Sequence, residues 1–291
     1  MKVVVIGSGG QLGRELQSIQ NLLSGVEWIF TNRQEIDLGE AKKMDALDRL
    51  KPDVVVNCAA YTRVDQAEKE IETCWESNVL GPARLAKKCA QNDCWLIHIS
   101  SDYIYHHNPG RPFKEEDPLY PRGIYAASKA GGEVMIRQFH KKHIILRTSW
   151  LYGNEGPNFV KTMIRLAGQQ DKIKVVDDQW GAPTFVHDLA LGIKKIIRTL
   201  KENSDGNFAG TYHYANEGVV SWCGFAKEIM QLSSPKTEVE AISSAAYVLP
   251  APRPGWSVMS LGKLKKVFDI YPPHWRISLK KYLQELSEDT N

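Results

Sequence analysis

The chain has 291 residues, which suits one large domain or two fused ones, and its 43% hydrophobic and 24% charged residues are typical of a globular protein. The net charge of +3 is too small to indicate a nucleic-acid-binding protein. In addition, no basic run is interleaved with aromatic residues that could stack on bases. A small positive excess remains compatible with an anionic substrate.

The N-terminal segment and the cysteines favour a cytoplasmic protein. Residues 1–10 contain an apolar run of four residues that leads directly into a glycine turn, unlike a signal peptide. No stretch approaches the roughly 18 apolar residues of a membrane span. The five cysteines are odd in number and lack C-x-x-C spacing, which predicts free thiols in a reducing compartment. We therefore expect no membrane and no nucleic-acid partner.

Strand and helix patterns alternate along the first half of the chain. Apolar, β-branched runs predict strands at residues 2–6, 26–31, 53–57, 95–100 and 143–146. Apolar residues at helical spacing predict helices at residues 11–23, 41–50, 64–72, 74–91 and 128–141. This alternation is typical of an α/β fold, here a Rossmann-type doubly wound parallel sheet with helices on both faces.

After residue 150 the alternation loosens. Helices are predicted at residues 159–167, 189–200, 221–232 and 280–286, and short strands near 174–176 and 212–214. Residues 250–254 form a proline-rich loop. We therefore expect a first domain at residues 1–150, rejoined by a helix near 186–202, and a smaller mixed α/β lid at residues 151–291.

A glycine-rich turn follows the first predicted strand and opens the first predicted helix. It reads Gly7-Ser8-Gly9-Gly10-Gln11-Leu12-Gly13. Glycines in such a turn let the backbone approach a pyrophosphate, whose charge is stabilised by the helix N-terminus. Its place between strand and helix predicts that residues 1–150 bind NAD(P), which makes residues 151–291 mainly a substrate-binding region.

The end of the second predicted strand favours NADPH over NADH. Dinucleotide-binding sheets usually carry an acid there that holds the adenosine ribose, but this chain has TNR at residues 31–33. Arg33 could bind a ribose 2′-phosphate, or it could be a solvated surface charge. Asp37, followed by Leu38, could accept a hydrogen bond from the adenine amino group or cap the next helix.

Tyr125 and Lys129 would share one face of a helix, because they are spaced at i and i+4. A free tyrosine has a pKa near 10, and a nearby ammonium stabilises the phenolate and lowers that pKa. Ser101 ends a predicted strand, where its hydroxyl could donate to a substrate carbonyl. The three residues together predict general acid catalysis by Tyr125.

The trio Ser101, Tyr125 and Lys129, with the glycine turn, resembles the extended short-chain dehydrogenase/reductases. Longer stretches look like the dTDP-4-dehydrorhamnose reductase family within that superfamily. They are GQLG at 10–13, AAYTRVD at 59–65, SDYI at 101–104, RTSWLYG at 147–153, DQWGAPT at 178–184, and RP at 253–254 with Ser257. The similarity runs from the first strand to about residue 264, and its late stretches are more specific than the glycines.

The resemblance implies a reaction, namely reduction of the C4 keto group of dTDP-4-dehydro-β-L-rhamnose to dTDP-β-L-rhamnose by NADPH or NADH. Tyr125 would protonate the developing alkoxide, Lys129 would also hold the nicotinamide ribose, and Ser101 would orient the carbonyl. Asn78 would support this site. The implied cofactor contacts are Gly7, Gly10, Gln11, Leu12, Gly13, Arg33, Asp37, Leu38, Ala59, Ala60, Tyr61 and Lys129.

The resemblance also implies substrate contacts by Asp102, Tyr103, Trp150 and Arg253. Arg253 could hold the diphosphate by bidentate hydrogen bonds, which arginine provides better than lysine, or it could be an exposed loop charge. For Trp150 the alternative is core packing, because tryptophan is large and often buried. We interpret Trp222 as a core residue rather than a platform for base stacking.

Two alternative functions remain open. The first is a sugar-nucleotide epimerase or 4,6-dehydratase of the same superfamily. Dehydratases carry Asp-Glu after the catalytic hydroxyl residue, whereas this chain has Asp102-Tyr103, so we expect no dehydration of dTDP-glucose. The second is a non-catalytic subunit similar to the regulatory subunit of methionine adenosyltransferase, which the presence of Ser101, Tyr125 and Lys129 argues against.

We expect no metal site. Some relatives are described as dimers joined through Mg²⁺ on acidic side chains, and Glu15 is present, but His187 stands where a second acid is expected. Imidazole is a poor magnesium ligand compared with carboxylate. His106 and His107 are interpreted as loop residues. We therefore expect activity without added Mg²⁺ from a monomer or a homodimer.

Overall fold

The protein, for which we use a computed structural model, is described at residues 1–204 and 206–288. Its strands are β1 (Lys2–Ile6), β2 (Glu27–Thr31), β3 (Val54–Asn57), β4 (Trp95–Ser101), β5 (His143–Thr148), β6 (Leu151–Tyr152), β7 (Lys172–Val176), β8 (Trp180–Gly181), β9 (Thr184–Phe185), β10 (Gly210–His213), β11 (Val220–Ser221) and β12 (Glu238–Ile242). Its α-helices are α1 (Gln11–Ser18), α2 (Ala41–Met44), α3 (Ala46–Leu50), α4 (Val64–Ala67), α5 (Ile71–Trp75), α6 (Gly81–Gln91), α7 (Ile124–Phe139), α8 (Phe159–Ala167), α9 (Val186–Glu202), α10 (Trp222–Ser233), α11 (Gly262–Phe268) and α12 (Trp275–Glu288).

Six parallel strands form the central sheet, in the order β10–β5–β4–β3–β1–β2. Successive side chains of a strand point to opposite faces, and in β1 both sets are buried. Val3 and Val5 join one hydrophobic cluster, whereas Val4 and Ile6 join another. Such near-continuous apolar strands need helices on both faces, so the prediction of a Rossmann-type sheet is confirmed.

The second half of the chain completes this sheet. α9 contributes Leu189, Ile193 and Ile196 to the same cluster as Val3 and Val5, and β10 pairs with β5 at the edge. The predicted strand near residues 212–214 therefore belongs to the main sheet, and assigning it to the lid was wrong. The helix expected near 186–202 is α9, while the division of the chain at residue 150 stays a prediction.

The other elements of the second half enclose a separate core. Helices α8, α10 and α12 pack with β7 around aromatic residues that include Phe225, Trp275 and Tyr282. The remaining strands form two-stranded pairs, β7 with β12, β8 with β11 and β6 with β9. Across the described ranges, no helix combines the length and apolar character that a membrane crossing needs.

Two helices near the sheet differ from the sequence prediction. The chain from Ile71 to Gln91 runs through α5, a π-helical segment at Glu76–Leu80 and α6 without the expected break at residue 73. π-helical turns inside α-helices are frequent at functional sites, and this one carries Asn78. α7 begins four residues earlier than predicted, so it includes Tyr125 as well as Lys129.

A buried ion pair fastens α7 to the sheet. Glu133, one turn after Lys129, is fully buried and accepts two hydrogen bonds from Arg147 of β5, at 2.9 and 2.7 Å. The Ser100 hydroxyl of β4 donates to the same carboxylate at 2.6 Å. Burial alone would raise the pKa of Glu133, but the hydrogen bonds and charge of Arg147 outweigh it and lower the pKa to about 2.

We predict that Arg147→Met destabilises the protein by about 3–5 kcal/mol, because the buried Glu133 carboxylate would lose its two hydrogen bonds from Arg147 and keep only those from Ser100 and from Arg137 at 3.0 Å. Urea denaturation monitored by circular dichroism measures the loss. Lys43→Gln is the matched control, since it removes an exposed ion pair with Glu40 and should cost less than about 1 kcal/mol. Equal effects of the two substitutions would contradict the prediction.

Candidate active site

The glycine turn between β1 and α1 is closely packed. A Cβ atom at Gly13 would lie 2.5 Å from the Gly7 carbonyl oxygen. At Gly7, where φ is +81°, a Cβ would lie 2.7 Å from the backbone nitrogen of Ala59. Gly10 is the N-cap of α1 and offers no side-chain hydrogen bond to its first turn. Gly9 and Gly10 are exposed, and an exposed helix start without a side-chain cap fits a phosphate group.

A groove of about 120 Å³ lies beside this turn. It is lined by Gly7, Arg33, Ile36, Asp37, Leu38, Gly39, Ala59, Ala60 and Ser77. The structure therefore brings together predicted cofactor contacts from three separate loops. Of the other predicted contacts, Gln11 has a buried Oε1 atom with no hydrogen-bond partner in the described part of the chain. Leu12 instead packs in the core, and the Tyr61 hydroxyl donates to Glu70 at 2.9 Å.

Arg33 and Asp37 form an ion pair at the edge of the groove. Nε of Arg33 donates to Oδ2 of Asp37 at 2.8 Å, and Oδ1 of Asp37 accepts from the Gly39 nitrogen at 2.9 Å. The interpretation of Asp37 as a helix cap was wrong, because its carboxylate closes a turn onto Gly39 and the N-cap of α2 is Glu40. The Arg33 side chain is 82% exposed, which leaves its guanidinium accessible to an anion.

Ser101, Tyr125 and Lys129 are gathered at the carboxyl end of β4. Ser101 is the last residue of β4, and its hydroxyl lies close enough to Tyr125 of α7 to lower the pKa of the phenol. Nζ of Lys129 donates to the carbonyl oxygen of Ile99, also in β4, at 2.7 Å. The cluster can therefore present a phenol and a hydroxyl to one ligand oxygen.

Burial controls the protonation of this cluster. It raises the pKa of Tyr125 to about 12, although the nearby Ser101 hydroxyl acts in the opposite direction. Burial also lowers the pKa of Lys129 to about 8. The expected lowering of the Tyr125 pKa by Lys129 is absent here, because burial dominates and the lysine donates to the Ile99 carbonyl. At neutral pH Tyr125 is therefore a protonated phenol that can donate a proton.

Asp102, directly after Ser101, is a buried acid beside the cluster. Its side chain accepts from the Ser101 hydroxyl at 3.2 Å through Oδ1, while Oδ2 has no partner among the described residues. Burial raises the pKa of Asp102 to about 7, although the hydroxyls of Ser257 and Ser101 act in the opposite direction. Asp102 is therefore partly protonated at neutral pH.

Asn78 connects a cofactor-side loop to the catalytic helix. Its Oδ1 accepts from the Tyr61 nitrogen at 2.9 Å, and its Nδ2 donates to the Tyr61 carbonyl and to the Ser128 hydroxyl, both at 3.0 Å. The Cys74 thiol lies 3.2 Å from the same hydroxyl. Asn78 is thus bonded to Ser128, which precedes Lys129 and donates to the Tyr125 carbonyl oxygen at 2.8 Å, and it acts on both residues through Ser128.

A cavity of about 700 Å³ adjoins the cluster. Phe159, Trp222 and Tyr247 give it aromatic walls, and Lys174 and Arg253 add positive charge. Tyr103 lines the same cavity and packs edge-on against Tyr125, with 5.5 Å between the ring centroids. Apolar walls with a few polar groups at this volume are typical of a small-molecule site.

Trp150 and Trp222 form a parallel stack with ring centroids 3.6 Å apart. Trp150 has a left-handed backbone, with φ of +48°, and its ring fills the space above Gly181, where a Cβ would lie 2.8 Å away. Trp222, not Trp150, lines the cavity. The interpretation of Trp222 as a core residue was therefore incomplete, because its ring also lines the cavity. Trp150 supports the Trp222 ring by stacking on it.

Arg253 reaches the cavity from the proline-rich loop but is already paired. Its Nη1 and Nη2 donate to the two carboxylate oxygens of Asp65, at 3.0 and 2.7 Å. Its guanidinium carbon lies 5.9 Å from the centroid of the Tyr103 ring. The alternative of a free surface charge was wrong, because the side chain is only 16% exposed.

Glu15 and His187 also meet, as Oε1 of Glu15 lies 2.7 Å from Nδ1 of His187. The neighbouring Asp188 is buried, and its carboxylate accepts from Asn216 at 2.7 Å and from Ser278 at 2.5 Å. Across residues 1–204 and 206–288 no group of three or more acidic, histidine or cysteine side chains is arranged to hold a metal ion.

Sequence reasoning missed two residues of this region and assigned a third to the core. Glu133 continues the four-residue spacing from Tyr125 through Lys129, and this periodicity could have identified it. Asp65 lies within a recognised stretch, but no pattern links it to Arg253, which is 188 residues away. Trp222 was singled out but assigned to the core.

Comparisons with known proteins agree with this geometry. A family model described as RmlD substrate binding domain matches residues 1–288. The chain is 36% identical to a dTDP-4-dehydrorhamnose reductase of Aggregatibacter actinomycetemcomitans, over 96% of this chain and 97% of the relative. The chain belongs to the dTDP-4-dehydrorhamnose reductase family. The resemblance inferred from the motifs is thereby confirmed.

Two further members or neighbours of the dTDP-4-dehydrorhamnose reductase family are similar along their whole length. The spore coat polysaccharide biosynthesis protein SpsK of Bacillus subtilis is 38% identical, over 98% of each chain. The crystal structure of a dTDP-4-dehydrorhamnose reductase from Bacillus anthracis in complex with NADP has a TM-score of 0.91 at 35% identity. That match covers 98% of this chain and 99% of the other.

We predict that Asp102→Asn removes part of the pH dependence of stability. The folded state raises the pKa of Asp102 from 3.8 to about 7. The contribution of this side chain to the free energy of unfolding is therefore fully present below pH 3.8 and is lost as the pH rises through 7. Between pH 5 and pH 8 the wild type should lose roughly 2–3 kcal/mol more unfolding free energy than the variant. Urea denaturation at both pH values measures this, and equal losses would contradict it.

Proposed function

We propose that this protein reduces the C4 keto group of dTDP-4-dehydro-β-L-rhamnose to give dTDP-β-L-rhamnose, the final step of dTDP-L-rhamnose synthesis. The observation that carries the proposal is the Tyr125 phenol, which lies beside the Ser101 hydroxyl and packs through the Tyr103 ring against a 700 Å³ cavity. Family membership supports the choice of substrate. Asp102, Tyr103 and Arg253 are the proposed substrate-binding residues, and Trp150 is proposed to act through the Trp222 ring on which it stacks.

Tyr125 is the proton donor in this mechanism. NADPH, or NADH less favourably, would supply the hydride to the C4 carbon. The C4 oxygen then gains negative charge, and the Tyr125 phenol neutralises it because burial keeps the hydroxyl protonated. Ser101 orients the same oxygen by its hydroxyl. Lys129, which donates to the Ile99 carbonyl while the phenol is neutral, would stabilise the phenolate once the proton has left.

The residues at the other end of the site fit a dinucleotide phosphate. We propose that Gly7, Gly10 and Gly13 let the backbone of the turn approach the pyrophosphate, with Gln11 alongside, and that Arg33 accepts a ribose 2′-phosphate. The groove lined by Leu38, Ala59 and Ala60 would hold the adenosine part, with Leu12 and Tyr61 supporting it from the core side. Asn78 would position Lys129 through Ser128.

The finer assignments are also proposals. We propose activity without Mg²⁺, because His187 pairs with Glu15 and Asp188 is used inside the protein. We propose a monomer or a homodimer that works in the cytoplasm, which the five free cysteines support.

We predict that Tyr125→Phe lowers the rate of hydride transfer by at least about 10²-fold, because the substitution removes only the proton donor. Single-turnover oxidation of NADPH with dTDP-4-dehydrorhamnose measures the rate, and fluorescence titration checks that NADPH still binds. Tyr120→Phe is the control, since Tyr120 is 62% exposed and has no lysine four residues on. A variant that binds NADPH normally and keeps more than about a tenth of the rate would refute the mechanism. No turnover by the wild type with this substrate would refute the function.

We predict that Arg33→Ala raises the KM for NADPH by about tenfold and the KM for NADH by less than about twofold, because only NADPH carries the 2′-phosphate. Steady-state kinetics with both cofactors measures the difference. A tenfold preference of the wild type for NADH, with neither KM changed by the substitution, would contradict the role of Arg33.

A further inference from the structure

The pair Asp65 and Arg253 joins the two halves of the chain across the site. Asp65 lies in the first turn of α4, and Arg253 lies in the proline-rich loop. Besides the two hydrogen bonds from Arg253, Oδ1 of Asp65 accepts from the Ala251 nitrogen at 3.1 Å. One carboxylate therefore fixes both the backbone of the loop and its arginine.

The loop itself is stiff and anchored at both ends. Pro250, Pro252 and Pro254 alternate with Ala251 and Arg253, and each proline restricts its own φ and the conformation of the residue before it. Beyond them the Gly255 carbonyl accepts from the Trp180 nitrogen of β8 at 2.9 Å. Little conformational entropy is left to lose when a ligand binds to such a loop.

Only some of the hydrogen-bond donors of the Arg253 guanidinium are used within the described part of the chain. A guanidinium has five N–H groups. Nη1 uses both of its own, on Asp65 and on the Ala251 carbonyl at 2.8 Å, and Nη2 uses one on Asp65. Within residues 1–204 and 206–288, the Nε–H group and the second Nη2–H group form no hydrogen bond. These two donors are parallel and lie on one edge, which matches two oxygens of a phosphate.

The surroundings of Arg253 favour an anion at that edge. Arg253 lines the 700 Å³ cavity together with Lys174, which forms no ion pair in the described part of the chain. The guanidinium group of Arg253 also lies near the Tyr103 ring. Tyr103 therefore restricts the orientation of the guanidinium plane, while Asp65 binds its Nη1 and Nη2 groups. The cavity leads past Tyr103 to Tyr125.

We propose that Asp65 is a positioning residue, which holds Arg253 by one edge so that the other edge binds the diphosphate of a nucleoside diphosphate. This inference rests on the proposed function, because it assigns the diphosphate end of the same substrate. Asp65 itself does not touch the substrate and acts through Arg253.

An opposite role for Asp65 makes a different prediction. If the carboxylate merely competed with the diphosphate for Arg253, its removal would free the arginine and tighten binding. If it positions the arginine, its removal leaves a mobile side chain that must be ordered on binding, and affinity falls. The sign of the change in affinity therefore separates the two roles.

The test is calorimetric titration of the full-length protein with dTDP and with thymidine. Asp65→Asn should weaken dTDP binding by about tenfold, which is about 1.4 kcal/mol, and leave thymidine binding unchanged because thymidine has no phosphate. In turnover assays the KM for the sugar nucleotide should rise by a similar factor while kcat changes by less than about threefold. A variant that binds dTDP as tightly as the wild type, or more tightly, overturns the proposal.

The chain offers a matched control for this substitution. Asp117 forms the same two-bond pair with Arg111, at 2.7 Å for each bond, away from the cavity. Asp117→Asn should leave dTDP affinity unchanged. If Asp65→Asn does not fold, Arg253→Lys carries the test, because lysine keeps the charge but lacks the fork. Unchanged dTDP affinity in that variant overturns the proposal.

The outcomes also separate this inference from the proposed reaction. If the wild type binds dTDP but does not turn over the ketosugar, the proposed reaction is wrong. The dTDP affinities of the Asp65 and Arg253 variants then still decide the role of Asp65. A wild type that binds neither dTDP nor UDP overturns the assignment of Arg253 and Asp65.

Discussion

The buried carboxylate of Glu133 is the constraint on which the site depends. It belongs to the same helix as Tyr125 and Lys129, yet it is bonded to the residue before Ser101 and to Arg147 of β5. The register between catalytic helix and sheet is therefore set by one charged group rather than by apolar packing alone. Apolar side chains tolerate small slips along a helix, whereas a bidentate ion pair has one geometry.

Two further polar contacts position the remaining parts of the site around that register. Asn78 links the loop that carries Tyr61 to α7 through Ser128, and the π-helical turn places its amide inward. Asp65 ties the proline-rich loop to α4. Each of these side chains is partly or fully buried, so leaving its partner unpaired would cost more than the contact gains. The site is thus built on hydrogen-bonded polar groups within an otherwise apolar sheet and lid.

Local patterns could predict the strands of the sheet and the catalytic motif, because β-branched runs and i, i+4 spacing are properties of short segments. Strand β1 was predicted with its observed bounds, and Tyr125 and Lys129 fall on one helix face. Contacts between distant segments could not be predicted in this way. The edge position of β10, the pairing of Asp65 with Arg253 and the Asp37 turn all depend on the folded chain. The pKa of Tyr125 was expected to fall, yet burial, which the sequence does not reveal, raises it.

The late completion of the sheet affects how the chain folds during synthesis. β5 is made by residue 148, but its neighbour β10 ends at residue 213, and α9, which covers β1, is made in between. A nascent chain that has released only the first five strands of the sheet exposes an unpaired strand edge and an apolar face. Such surfaces favour aggregation or capture by chaperones. The ribosome must therefore extend the chain through α9 and β10, to residue 213, before this sheet can be completed.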